Sequence, residues 1–213
     1  MKKPILIAGP CSLEGRIQAH EISSKCSELA DKYGFDYYFK ASFDKANRTS
    51  VNSKRGIGID KAIDIFAELK ELDQCKITTD IHEPWQADKL ADVVDIIQIP
   101  AYLCRQTDLL VAAGHTFKTV NIKKGQFING SNMVHAVNKV KSTGNNNIML
   151  TERGSMFGMG DLVVDFRQIV DMKELDVPVI IDCTHSTQRP NSGSTTAGQP
   201  RYAIHIAKAA KAV

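Results

Sequence analysis

The sequence has no disulfide framework: its five cysteines, Cys11, Cys26, Cys75, Cys104 and Cys183, are odd in number, unevenly spaced and form no CxxC pair. With an ordinary apolar content of 43%, that usage fits a reducing compartment, so a cytoplasmic protein is expected. No apolar run approaches the roughly 18 residues of a membrane span, so no membrane partner is expected. The opening MKKPILIAGPCS has two lysines and a short apolar stretch, but it reaches Gly9-Pro10 too soon for a signal peptide and reads as a first strand. Strong charge is missing too. The formal net charge is +3 and the basic residues are scattered rather than striped, which argues against a nucleic-acid partner. Low-complexity tracts and interdomain linkers are absent, and 213 residues suffice for one large domain over 1–213.

What the chain does have is rhythm. Short apolar, β-rich runs recur at 4–8 (PILIA), 37–41 (YYFKA), 76–81 (KITTDI), 95–99 (DIIQI), 119–123 (TVNIK), 148–150 (IML) and 177–181 (VPVII). Most are continuous rather than alternating, as in strands buried on both faces of a parallel sheet. Between them, 58–72 places Ile59, Ile63, Phe66, Leu69 and Leu72 on one helical side, and 161–175 has a similar pattern. The alternation predicts an α/β fold of about seven βα units. Periodicity alone leaves both an open doubly wound sheet and a (β/α)8 TIM barrel. Polar residues at nearly every strand's C-terminal end favour the barrel, which gathers those ends at one mouth. The Gly/Ser/Thr-rich segment 191–200 reads as a loop between the seventh strand and the last helix, either a lid or a plain surface loop.

The densest polar cluster is FKASFDKANRTS, with Lys40, Asp44, Lys45, Asn47, Arg48, Thr49 and Ser50. Two lysines and an arginine beside hydroxyls suit phosphate, since Arg offers a bidentate fork and Lys a compact charge. NIKKGQF adds Lys123, Lys124 and Gln126, and strand alternation predicts that one lysine faces inward and the other outward. TERG adds Glu152 and Arg153. Lys40, Lys45, Lys123 and Arg153 would repel one another unless anionic ligands, or carboxylates such as Asp80, neutralise them. Cys11 and His185 end the first and seventh strands, and thiolate with imidazole suits zinc, iron or a similar transition metal. In an eight-stranded barrel those strands flank the eighth, so further ligands are expected on a strand beyond Val213. His82, His115 and His205 read mainly as structural, with His82 of DIHEP the most open to a functional role.

These stretches resemble a known family. IAGPCSLE, FKASFDKANRTS, TTDIHEPWQA, IIQIPAYLCRQTDLL, VNIKKGQF, TERGSMFGMGDLVVDFR and DCTHSTQRP run, in family order, along essentially the whole chain. The chain is similar to the 3-deoxy-D-manno-octulosonate 8-phosphate synthases, within a superfamily shared with the 3-deoxy-D-arabino-heptulosonate 7-phosphate synthases. KANRTS is the discriminating motif, because the heptulosonate enzymes carry a KPRT-type motif there. The resemblance implies a (β/α)8 barrel, usually a homotetramer, that condenses phosphoenolpyruvate with D-arabinose 5-phosphate in lipopolysaccharide precursor synthesis. It implies that Lys45, Lys123, Arg153 and Gln98 hold phosphoenolpyruvate, and that Asn47, Arg48 and Thr49 hold the pentose phosphate. Arg105 would reach a neighbouring subunit's site, Lys40 and Asp80 would sit between the substrates, and Ser42 and Gln126 would join the binding set. Lys45, Asp80 and His185 are the expected catalytic residues.

Cys11 in GPCS implies the metal-dependent class, with Cys11 and His185 as ligands of a divalent transition metal (Zn, Fe, Mn or similar). The metal would either polarise the aldehyde or activate water. The family's two further ligands, a Glu and an Asp, come from the eighth strand and a loop beyond it. This reading therefore expects the eighth βα unit to lie outside these residues, with an open sheet edge left behind and full activity not reached without it. The alternatives are a heptulosonate-type synthase that takes erythrose 4-phosphate, or a ligand-binding remnant without turnover.

Overall fold

In the computed structural model, which describes residues 3–156, 160–190 and 197–213, the seven apolar runs form seven strands, each followed in the chain by a helix. The expected α/β class, with seven βα units of a TIM-barrel chain, is therefore what the chain forms. Residues group into two compact units that divide after Gln98.

The first unit runs β1 (Ile5–Ser12), α1 (Arg16–Tyr33), β2 (Asp36–Ser42), α2 (Ile59–Leu72), β3 (Lys76–Asp80), α3 (Trp85–Leu90) and β4 (Ile96–Ile99). Its strands pair in parallel, β1 with β2, β2 with β3 and β3 with β4. Phe39, Ile77 and Ile97 are fully buried, as strands covered on both faces require. The α2 stripe is shifted from the expected one. Ala62, Ile65, Phe66 and Leu69 are buried, whereas Leu72, at the last turn, is 68% exposed. Small Ala62 takes an inward position that a search for large apolar residues overlooks.

β1 is longer than the apolar run that announces it, because it continues through GPCS. A register shift between Ala8 and Cys11 interrupts its pairing with β2. At Gly9 a Cβ would lie 2.0 Å from the Lys40 carbonyl oxygen, so only glycine fits, and two residues later Cys11 adopts φ +67°. A bulge of this kind re-aims the side chains that follow it.

The second unit contains α4 (Thr107–His115), β5 (Thr119–Lys123), α5 (Val134–Lys141), β6 (Ile148–Glu152), a small antiparallel pair β7 (Ser155–Met156) and β8 (Leu162–Val163), α6 (Arg167–Lys173), and β9 (Val179–Ile181). A second small pair, β10 (Gln188–Arg189) with β11 (Ala197–Gly198), precedes α7 (Ala203–Lys211). β5 pairs with β6 and β6 with β9, all parallel. The helix expected over 161–175 is confined to α6. Leu162 and Val163 instead pair with β7 as β8, and α6 begins only at Arg167, whose amide donates to Asp165 Oδ1 at 3.1 Å. Of the expected loop over 191–200, residues 191–196 lie outside the described residues. No helix among the described residues is long and apolar enough to cross a membrane.

Candidate active site

In the first unit, the C-terminal ends of β1, β2 and β3 bring Cys11, Lys40, Ser42 and Asp80 together with Lys45. Lys40 Nζ donates to Asp80 Oδ1 at 2.8 Å and to Ser42 Oγ at 3.2 Å, and the Ser42 hydroxyl donates to the same Asp80 oxygen. Lys45 Nζ donates to Ser42 Oγ and to Cys11 Sγ, each at 3.0 Å. The other Asp80 oxygen lies 3.2 Å from His82 Nε2, which gives His82 a role within the cluster. Gln98 is the register partner of Asp80 on β4. Asp80 is buried, which alone would raise its pKa. The ammonium of Lys40, helped by His82 and Lys45, outweighs that and holds it well below the usual carboxylate range.

A depressed folded pKa means stability that is present above the unfolded value of about 4 and lost as pH falls through the folded value. Asp80→Asn should therefore melt well below the parent protein at pH 7, and the gap should narrow as the pH is taken below about 4. Thermal unfolding followed across that range measures it. A gap independent of pH would contradict the assignment.

Asn47, Arg48 and Thr49 lie exposed on the loop after β2, and Arg48 Nε donates to the Lys54 carbonyl at 3.2 Å. That loop is closed at its neck: the Lys45 amide donates to the Arg55 carbonyl at 2.6 Å, and the Arg55 guanidinium pairs with Asp44. A Cβ on Gly56 (φ +135°) would meet the Phe43 carbonyl oxygen at 2.3 Å. The expected phosphate-binding residues thus ride on a tip whose base is fixed.

In the second unit, β5, β6 and the segment after β9 carry the cationic residues. Lys123 Nζ pairs with Asp182 Oδ2. The same carboxylate receives His185 twice, from Nδ1 at 2.6 Å and from its backbone N–H at 2.9 Å. Burial would raise the Asp182 pKa, but Lys123 and then His185 hold it well below the ordinary range. Arg153 is buried with Nη2 donating to Gln188 Oε1 at 2.6 Å, while Nε and Nη1 have no partner among the described residues. Burial pushes its pKa down, against the opposing pull of Asp182, and guanidinium stays charged at any physiological pH. The side-chain oxygen of buried Gln126 likewise has no partner among the described residues. Arg105 is exposed, and its carbonyl accepts a hydrogen bond from Lys139 Nζ at 2.7 Å.

Lys123 and Lys124, which strand alternation expects on opposite faces, meet different partners. Both are buried, because each meets its own carboxylate: Asp182 for Lys123, and Glu152, 3.6 Å away, for Lys124. Asp182 and Gln188 were not among the candidate residues, and Glu152 was noted beside Arg153 without an assigned role. For Asp182 and Glu152 the signal was position: each is polar and stands at or just after the end of a strand.

Cys11 and His185 suit a transition metal by donor type. A histidine whose Nδ1 meets a carboxylate, as here with Asp182, has the arrangement that orients Nε2 toward metals. A thiolate at Cys11 would also be a good acceptor for its Lys45 hydrogen bond. The two residues belong to different units. Among the described residues, no three His, Cys, Asp or Glu side chains are grouped to hold a metal ion.

Seven βα units with cations and carboxylates set at the strand ends define a TIM-barrel-class protein. More narrowly, the chain belongs to the DAHP synthetase I family, whose model matches residues 2–213. Among curated relatives, a 2-dehydro-3-deoxyphosphooctonate aldolase of Chelativorans sp. (strain BNC1) is 50% identical over 209 residues, covering 98% of this chain and 76% of that protein. Proteins of the same name from Fusobacterium nucleatum subsp. nucleatum and Rickettsia bellii are 46% and 48% identical, covering 100% and 98% of this chain and 77% and 76% of theirs.

Proposed function

We propose that the protein condenses phosphoenolpyruvate with D-arabinose 5-phosphate and water, giving 3-deoxy-D-manno-octulosonate 8-phosphate and phosphate. The structural observation that carries this reading is Arg153, a buried guanidinium with two donor nitrogens lacking partners among the described residues. Such a group is costly unless an anion completes it. The names of relatives 46–50% identical over nearly the whole chain support the choice of substrates, and so does KANRTS.

In the reaction, C3 of phosphoenolpyruvate bonds to the aldehyde carbon, a water oxygen adds at C2, and the C2–O bond to phosphate breaks. Two phosphorylated anions must be brought together, and fixed cations offset their repulsion without reorganising during the reaction. Lys45, Gln98, Lys123, Gln126 and Arg153 are assigned to phosphoenolpyruvate, and Asn47, Arg48 and Thr49 to the pentose phosphate. Arg105 is assigned to a neighbouring subunit's site in a homotetramer. Lys40 is held by Asp80 and Ser42, which supports the assignment of Lys40 and Asp80 to a place between the substrates. Cys11 and His185 would hold a divalent transition metal, whose Lewis acidity would act on the aldehyde or on water. The proposed setting is the cytoplasm, in lipopolysaccharide precursor synthesis.

The acceptor tests the reading. Phosphate release from phosphoenolpyruvate should require arabinose 5-phosphate and stop when a chelator is added. Equally efficient release with erythrose 4-phosphate would instead assign the protein to the heptulosonate branch, and phosphoenolpyruvate binding without release in the presence of added metal would make it a binding protein.

A further inference from the structure

The ion pair between Lys124 and Glu152 takes no part in the roles assigned above, yet both side chains are fully buried. Burial pushes the Lys124 pKa down and the Glu152 pKa up, so the site opposes both charges. Apolar residues of similar size at such places commonly leave stability unchanged or improve it, so stability alone does not account for the pair. Its connections do. Lys124 Nζ donates to the carbonyls of Gly125 and Ile128 at 3.1 and 3.2 Å and to Ser155 Oγ at 3.0 Å, with Glu152 Oε2 at 3.6 Å. The other Glu152 oxygen accepts the Gly154 amide at 2.6 Å.

Residues 152, 154 and 155 are thus tied to this pair, and Arg153 stands between them. Gly154 has φ +88°, a turn that glycine makes without strain. The Ile128 and Gly125 carbonyls close the loop that carries Gln126. One buried ammonium therefore fixes the backbone beneath two residues whose polar atoms await a ligand. Holding a long arginine in one pose before ligand arrives removes an ordering cost from binding.

We infer that Lys124 and Glu152 are positioning residues that preset Arg153 for the phosphoenolpyruvate anion, a role that rests on the function proposed above. Their effect is selective for that substrate and passes through Arg153.

Calorimetric titration of the protein with phosphoenolpyruvate and, separately, with arabinose 5-phosphate tests this as a double-mutant cycle. Lys124→Met should weaken phosphoenolpyruvate binding by about 10-fold or more in the parent but less than about 2-fold in an Arg153→Ala background, the signature of coupled residues. Pentose phosphate affinity should stay within about 2-fold in both backgrounds. Unchanged phosphoenolpyruvate affinity, equal losses in both backgrounds, or equal weakening of both ligands would overturn the inference. Should Lys124→Met fail to fold, Ser155→Ala decides, because it removes one Lys124 partner and little volume. It should weaken phosphoenolpyruvate alone by roughly 3-fold, and no change would overturn the inference. A parent protein that binds no phosphoenolpyruvate would sink the proposed function, and this inference with it. A parent that binds it, with variants that bind equally well, would sink the inference only.

Discussion

Arg153→Ala is expected to lower kcat/KM for phosphoenolpyruvate by about 100- to 1,000-fold while the melting temperature holds or rises. The magnitude follows from losing a buried charge-assisted contact, about 3–4 kcal/mol. The stability half follows from the apo site. Nε and Nη1 of Arg153 are buried without partners among the described residues, so their removal takes away an unmet polar demand. Sites built for ligands commonly trade stability for function in this way. Steady-state kinetics together with thermal denaturation measure both halves. A variant that lost activity only in proportion to lost fold would mean that Arg153 serves the structure rather than the substrate.

The second large effect is expected at Asp182. One carboxylate takes the Lys123 ammonium, His185 Nδ1 and the His185 backbone N–H. Asp182→Asn keeps the shape and an oxygen for the backbone N–H, but it removes the charge that Lys123 faces and that orients the His185 ring. Affinity for the proposed metal should fall by about 10- to 100-fold, the usual loss when a carboxylate behind a ligating histidine is removed. Stability should fall as well, by about 3 kcal/mol, because a buried pair is broken from one side. Metal titration and chemical denaturation read these separately. Unchanged metal affinity would remove His185 from the metal assignment and leave Asp182 as a structural partner of Lys123 and His185.

The βα rhythm was legible because the parallel strands are buried on both faces and so appear as unbroken apolar runs; β5 falls on 119–123, as expected. Boundaries failed where tertiary pairing outweighed helical spacing, as in β8, or where a small residue took an inward position, as Ala62 does on α2. The strand-end residues Lys40, Asp80, Lys123 and Arg153 could be picked out because a charge that close to an apolar strand needs a partner. Which partner it meets is set by register between strands far apart in sequence. For that reason Asp182, thirty residues beyond β6, was missed as the counter-charge of Lys123, and Glu152 as that of Lys124. The bulge at Gly9 that turns Cys11 was also out of reach, since it depends on how closely β2 approaches.

The central claim is that one protein joins a three-carbon enol phosphate to a five-carbon sugar phosphate. Phosphorus NMR of the protein with both substrates and a divalent metal tests it most directly. The account predicts that phosphoenolpyruvate and arabinose 5-phosphate disappear in equal amounts. Each pair should yield one inorganic phosphate and one phosphorylated eight-carbon keto acid. Phosphate released without the pentose, or both substrates remaining intact, would contradict it.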